Sequence, residues 1–104
     1  MKKELTALAN HYLRYRMRKK YGGPLPLRLW IEPTNRCNLS CVMCPQKDVR
    51  RTEEGRFMEL SLYRRVIQQC RTDIADVNLF NRGEPLLHPS IADMVRIAKE
   101  HSVR

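Results

Sequence analysis

Apolar side chains recur along this chain at two periods, and the alternation between them predicts the order of elements. Near the N-terminus Leu5, Leu8, Ala9, Tyr12 and Leu13 return every three to four residues among Lys and Arg, which predicts an amphipathic helix over residues 3–20. Gly22, Gly23, Pro24 and Pro26 then break the period and predict a linker. Leu27, Leu29 and Ile31 alternate with Arg28, Trp30 and Glu32, the period of a strand over residues 27–32. Pro33 has no N–H to give and stops that ladder. A polar stretch covers residues 45–60. The helical period returns with Leu62, Tyr63, Val66, Ile67 and Cys70, Ser61 being the candidate N-cap of a helix to about Arg71. Val77 and Leu79 alternate against Asn78 and Phe80 in a second strand over residues 76–80. Ser90 precedes a last helix, with Asp93 in a capping-box-like start and Ile91, Met94, Val95 and Ala98 as its buried stripe.

Strand, loop, helix, strand, loop, helix is the order of an α/β chain with a parallel sheet and right-handed crossovers. In such architectures chemistry sits in the loops that follow the C-terminal ends of strands. Two loops therefore matter most: the one after Pro33, and Asn81–Pro89.

Composition narrows the picture. With 104 residues the chain has room for one small domain at most. Two parallel strands and two helices bury too little apolar surface to be comfortable alone. The sequence ends at Arg104, just past a helix, where a third strand would be expected, so a fragment or truncated product of a longer enzyme is the expectation. The expected division is an N-terminal basic helix and linker over residues 1–23 and the start of a larger domain over residues 24–104.

The net charge of +9 is unevenly placed, because residues 1–20 carry seven Lys/Arg against one Glu. A basic amphipathic helix can meet an anionic surface, but the ordinary role of such a stripe is to pack on the rest of the fold or on a later domain. Nucleic acid is not the expected partner. No run of about 18 apolar residues exists, so no transmembrane helix is expected. Neither is a signal peptide visible, and a reducing cytoplasm is the expected compartment.

Three of the four cysteines crowd into Cys37-Asn38-Leu39-Ser40-Cys41-Val42-Met43-Cys44, on the loop after the first strand. Closely spaced cysteines of this kind point to metal rather than to a disulfide framework. A cubane of four irons wants four ligands, usually thiolates. Three thiolates hold three irons and leave the fourth open to an exogenous molecule, as reactive metal centres require. Zinc is the rival: three thiolates with His88 or His11 would close a tetrahedral site, and the basic helix would then suit a nucleic-acid-binding module. Zinc motifs commonly pair widely separated CxxC units, and no second unit exists here. Cys70 falls on the apolar face of its helix and reads as a small core hydrophobe. His88 reads as a turn or rim residue.

Cys37, Cys41 and Cys44 resemble the cluster motif of the radical S-adenosylmethionine (radical SAM) enzymes. Asn81-Arg82-Gly83-Glu84-Pro85-Leu86-Leu87-His88-Pro89 is similar to that family's second motif, Gly-Gly-Glu-Pro, with Arg82 in place of the first glycine. The resemblance runs from about Leu27 to the C-terminus. It implies the first two β/α units of a partial (β/α)6 TIM-like barrel, preceded here by the basic amphipathic helix. It implies a 4Fe–4S cluster on Cys37, Cys41 and Cys44, with the amino and carboxylate groups of S-adenosylmethionine on the open iron. The backbone at Met43 would meet the adenine, unless the side chain simply packs. Gly83, Glu84 and Pro85 would line the methionine amino group. The implied reaction is reductive cleavage to a 5′-deoxyadenosyl radical that abstracts hydrogen from a substrate, with an electron donor of flavodoxin or ferredoxin type. The run Pro33–Leu39 and the Met-Cys-Pro step resemble members that modify peptides and carry auxiliary clusters. A catalytically inactive remnant that keeps the motifs is the remaining alternative.

Overall fold

The computed structural model describes residues 2–18, 27–44 and 55–104. The linker expected at Gly22–Pro26 and most of the polar stretch fall outside them. Helix α1 spans Lys2–Arg16, β1 Arg28–Trp30, α2 Leu60–Cys70, β2 Asp76–Asn78 and α3 Ile91–Glu100, with a single 3-10 turn at Pro85–Leu87.

β1 and β2 pair in parallel, in the register Arg28–Asp76, Leu29–Val77 and Trp30–Asn78. The pairing extends a residue beyond each end: Ala75 N donates to Leu27 O at 2.8 Å and Ile31 N to Asn78 O at 2.9 Å. Arg28 and Asp76 reinforce it from the exposed side, with Nε and Nη2 on the two carboxylate oxygens at 2.5 and 2.9 Å. That pairing holds the Asp76 carboxyl below the usual carboxylate range. On the far edge of β2, Arg104 N donates to Ala75 O and receives Val77 N on its own carbonyl, at 3.1 and 2.6 Å. Those two bonds are the pattern of a parallel rung.

The core lies between the sheet and the two helices that follow its strands. Tyr63 and Ile67 of α2, Ile74, Met94, Ile97 and Ala98 of α3, and Val103 form one buried cluster, against which Leu29, Ile31, Val77 and Leu79 pack from the sheet. Each large side chain fully buried here contributes on the order of 2 kcal/mol. Alternation in the strands thus matches the structure, with Leu29 inward and Arg28 and Trp30 outward. Cys70 packs half-buried against the cluster, as a core cysteine would.

Several expectations change in detail. Helix α1 ends at Arg16 instead of Lys20, and Arg18 follows in the left-handed region at φ 50°. Its apolar stripe is exposed, Leu8 and Tyr12 each at 60 %, while Glu4, Ala7 and His11 on another face are half-buried. An ion pair between Glu4 and Arg104 ties it to the C-terminus. Helix α2 begins with Glu59 rather than Ser61 as N-cap, because Tyr63 N bonds back to Glu59 O at 3.1 Å. Leu62 is exposed, off the buried face that holds Tyr63 and Ile67. Ser90 is the N-cap of α3 but makes no side-chain cap bond, and Asp93 pairs with Arg96 in place of closing a capping box. The buried stripe of α3 includes Ile97, whereas Val95 faces out. The strands are shorter than expected, at three residues each.

Candidate functional site

The two loops predicted to carry chemistry leave the same end of the parallel pair, and they are laced together. Glu32, just beyond β1, accepts the backbone N–H groups of Arg82 and Gly83 on Oε1 at 2.9 and 3.1 Å. Further along both loops, Glu84 N donates to Arg36 O at 2.7 Å. Between these bonds the backbones touch. A Cβ on Gly83 would stand 1.8 Å from the Thr34 carbonyl oxygen and 2.9 Å from that of Arg36. Glycine is needed here for backbone to pass against backbone.

A short strap, residues 55–59, braces this junction from the side. Thr34 is buried; its hydroxyl donates to Arg56 O at 2.7 Å and accepts Arg36 N at 3.0 Å. Thr34 and Phe57 form an antiparallel bridge, and Met58 N reaches Pro33 O at 2.7 Å. Asn35 Oδ1 accepts Arg56 N at 2.7 Å. The Arg36 guanidinium lies over the Phe57 ring, 5.0 Å from its centroid.

His88 joins the strap to the second loop. Its Nδ1 accepts Ser90 N at 3.0 Å, so Nε2 carries the proton and donates to Met58 O at 2.9 Å. The ring is buried and meets Phe57 edge to face at 5.4 Å. Both nitrogens are therefore engaged in holding the loops, consistent with a turn residue. His11 lies on α1, its Nε2 buried with no hydrogen-bond partner among the described residues. Zinc held by three cysteines and a histidine is not favoured.

Within the second motif, the Glu84 carboxylate accepts Leu86 N at 3.0 Å and caps the 3-10 turn that Pro85 opens. On the cysteine loop, Cys37 and Cys44 are half-buried and Cys41 is exposed. Leu39 N points at Cys37 Sγ at 3.5 Å, and Cys44 N closes a turn on Cys41 O at 3.1 Å. Met43, on that turn, is 92 % exposed, so its side chain does not pack into the core. The four cysteines form no disulfide. Among the described residues, no three His, Cys, Asp or Glu side chains converge into a ready metal nest, so a metal would draw the thiols together. The donor set suits iron and sulfide: three thiols on one surface loop, with both ring nitrogens of the nearby histidine already engaged.

Glu32, Thr34 and Phe57 carry this junction and were not singled out from the sequence. The signal available for Glu32 was an acidic residue at the C-terminal end of a strand, immediately before the stop at Pro33.

The sequence profile of the radical SAM superfamily matches residues 31–103. The chain belongs to that superfamily, whose members use a 4Fe–4S cluster and S-adenosylmethionine. It is 35 % identical over 74 residues to the tungsten-containing aldehyde ferredoxin oxidoreductase cofactor-modifying protein of Pyrococcus furiosus, covering 69 % of this chain and 20 % of that one. It is 34 % identical over 82 residues to GTP 3′,8-cyclase of Clostridium perfringens, covering 77 % of this chain and 25 % of the relative. The same enzyme of Chlorobaculum tepidum is 37 % identical over 70 residues, covering 66 % and 20 %. The chain thus spans a quarter or less of the length of these curated relatives. No solved structure matches it significantly. Among the described residues, no helix is long and apolar enough to cross a membrane.

Proposed function

We propose that residues 24–104 are the first two β/α units of a partial TIM-like barrel, preceded by a basic helix and linker over residues 1–23, in an enzyme that generates a radical from S-adenosylmethionine. Cys37, Cys41 and Cys44 would hold three irons of a 4Fe–4S cluster and leave the fourth for the cofactor's amino and carboxylate groups. When bound, the cluster supplies the electron for reductive cleavage of S-adenosylmethionine to the 5′-deoxyadenosyl radical.

The chain's own residues bind and orient. The exposed turn at Met43 offers its backbone to the adenine, and the loop Gly83-Glu84-Pro85 offers its backbone to the methionine amino group. The single observation behind this reading is the lacing of the second loop onto the first, through Glu32, the Arg36 carbonyl and the close pass at Gly83. It sets the two motifs side by side although some forty residues separate them. An electron donor of flavodoxin or ferredoxin type completes the scheme, and a reducing cytoplasm suits cysteines that form no disulfide.

The segment shared with the relatives carries cofactor motifs. Those relatives differ in name between a GTP cyclase and a cofactor-modifying protein, so the shared segment defines cofactor chemistry and not a substrate. A peptide substrate rests on the run Pro33–Leu39 and the Met-Cys-Pro step alone.

Anaerobic reconstitution with iron and sulfide tests the reading. A brown protein with about four irons per chain is expected. Stoichiometric zinc, with no visible absorption, would refute it.

A further inference from the structure

Cys41 and Cys44 stand apart from Cys37 in geometry. Cys44 N donates to Cys41 O at 3.1 Å, closing a turn over Val42 and Met43. Such a turn holds its end Cα atoms within about 7 Å, and a disulfide takes Cα atoms roughly 4.4–6.8 Å apart. The path from Cys37 to Cys41 is different. It runs without turn or bend, and four extended residues span up to about 13 Å, well past that limit. Cys37 also sits at the anchored root of the loop. The residue before it is fixed at both backbone groups, Arg36 N on Thr34 Oγ1 at 3.0 Å and Arg36 O under Glu84 N at 2.7 Å. Exposure then separates the pair itself, since Cys41 is exposed and Cys44 half-buried. Cys70 packs against the core from α2.

We propose that Cys41 and Cys44 are a redox modification site: in the cluster-free chain an oxidant of the peroxide class joins them in a reversible disulfide, while Cys37 stays a thiol. The consequence rests on the cofactor reading above, for the disulfide withdraws two of three iron ligands until a thiol reductant returns them. The chemistry takes two steps. The exposed Cys41 sulfur attacks one oxygen of hydrogen peroxide, breaks the O–O bond and becomes a sulfenic acid, releasing water. The Cys44 sulfur then attacks the Cys41 sulfur and forms the S–S bond. The hydroxyl group of the sulfenic acid leaves with the Cys44 proton as a second water. Two thiols thus give up two electrons, and one peroxide is reduced to two waters. A resolving thiol beside the first stops it short of the irreversible sulfinic acid, so a chain that loses its cluster keeps its ligands in recoverable form.

The test oxidises the full chain in cluster-free form with hydrogen peroxide in the absence of thiols, alkylates the remaining thiols, digests with trypsin and reads the peptides by mass spectrometry. Cleavage after Arg36 and Lys47 gives one peptide that holds Cys37, Cys41 and Cys44. That peptide should lose two hydrogens and carry a single alkyl group, on Cys37. Pairing of Cys41 with Cys44 should exceed any pairing with Cys37 by about tenfold or more, because the longer span needs the backbone to move. Cys37→Ser should leave the pairing unchanged. Cys44→Ser should lose it and hold a sulfenic acid on Cys41 that dimedone traps. Dithiothreitol followed by iron and sulfide should return the oxidised wild type to about four irons per chain. No disulfide, one that includes Cys37 or Cys70, or direct passage to sulfinic acid would overturn the proposal and leave the cofactor reading intact. A disulfide between Cys41 and Cys44 in a chain that takes up no iron after reduction would overturn the cofactor reading instead, and the pair would stand as a modification site alone.

Discussion

Gly83→Ala adds one methyl group at the tightest point of the structure. Its Cβ would lie 1.8 Å from the Thr34 oxygen, 2.7 Å from the Thr34 carbonyl carbon and 2.9 Å from the Arg36 oxygen. All three are backbone atoms, so no side chain can swing aside. Ordinary contact needs about 3.5 Å, and one loop must retreat from the other by well over an ångström. The retreat strains or breaks the bonds from Gly83 N to Glu32 and from Glu84 N to Arg36 O. Overpacking costs about 1–3 kcal/mol, and each lost hydrogen bond costs about 1 kcal/mol. A loss on the order of 3 kcal/mol is expected, which for a chain of this size lowers the midpoint of thermal unfolding by more than about 10 °C. The assay is a thermal melt followed by circular dichroism, paired with iron content and the spectroscopic response to S-adenosylmethionine. The cysteines lie beyond Arg36 on a surface loop, so iron should be retained while the response to S-adenosylmethionine weakens. Gly83→Val should do both more severely. A Gly83→Ala protein that melts within about 2 °C of wild type and answers S-adenosylmethionine normally would refute the close pass of the two loops.

Two further changes separate site from core. Alanine at Cys37, Cys41 or Cys44 should each abolish the cluster, whereas Cys70→Ala, on the core side of α2, should keep full iron and lose about 1 kcal/mol of stability, as iron analysis and a denaturant titration would show. Tyr63 is fully buried, and no described group bonds its hydroxyl. Removing that hydroxyl in Tyr63→Phe should raise stability by about 1 kcal/mol at neutral pH. Burial pushes the Tyr63 phenol from 10.0 up to about 12. The unfolded chain therefore ionises first, and wild-type stability held below pH 10 is lost as pH rises through 12, a decline that denaturant titrations should find reduced in Tyr63→Phe.

How much of this was legible in the sequence depends on the range of the interaction. The three cysteines, the strand–helix order and the parallel pairing follow from local spacing and alternation. Cys70 was legible for the same reason, since helical spacing places it on the face of α2 that packs inward. Boundaries were less legible. The start of α2 turns on a single backbone bond from Tyr63 to the N-cap Glu59, which no periodicity specifies. On α3 the choice between Val95 and Ile97 is made by how the helix packs on the rest of the core, which takes Ile97 and leaves Val95 out. The apolar stripe of α1 predicts packing, and the fold leaves it exposed. The junction itself was hidden, because its bonds join residues far apart in sequence: Glu32 with Gly83, Thr34 with Arg56, and His88 with Met58. The glycine of the second motif could be read as room for a ligand, but its Cβ position is occupied by the Thr34 carbonyl.

The central claim is that three cysteines leave one iron open to S-adenosylmethionine beside the second loop. The most direct measurement is the electron paramagnetic resonance of the reduced, reconstituted protein, recorded before and after S-adenosylmethionine is added. The account predicts a 4Fe–4S signal whose g-values and line shape change on addition, because the amino and carboxylate groups become ligands to one iron. A cluster signal that stays the same at saturating S-adenosylmethionine would contradict it.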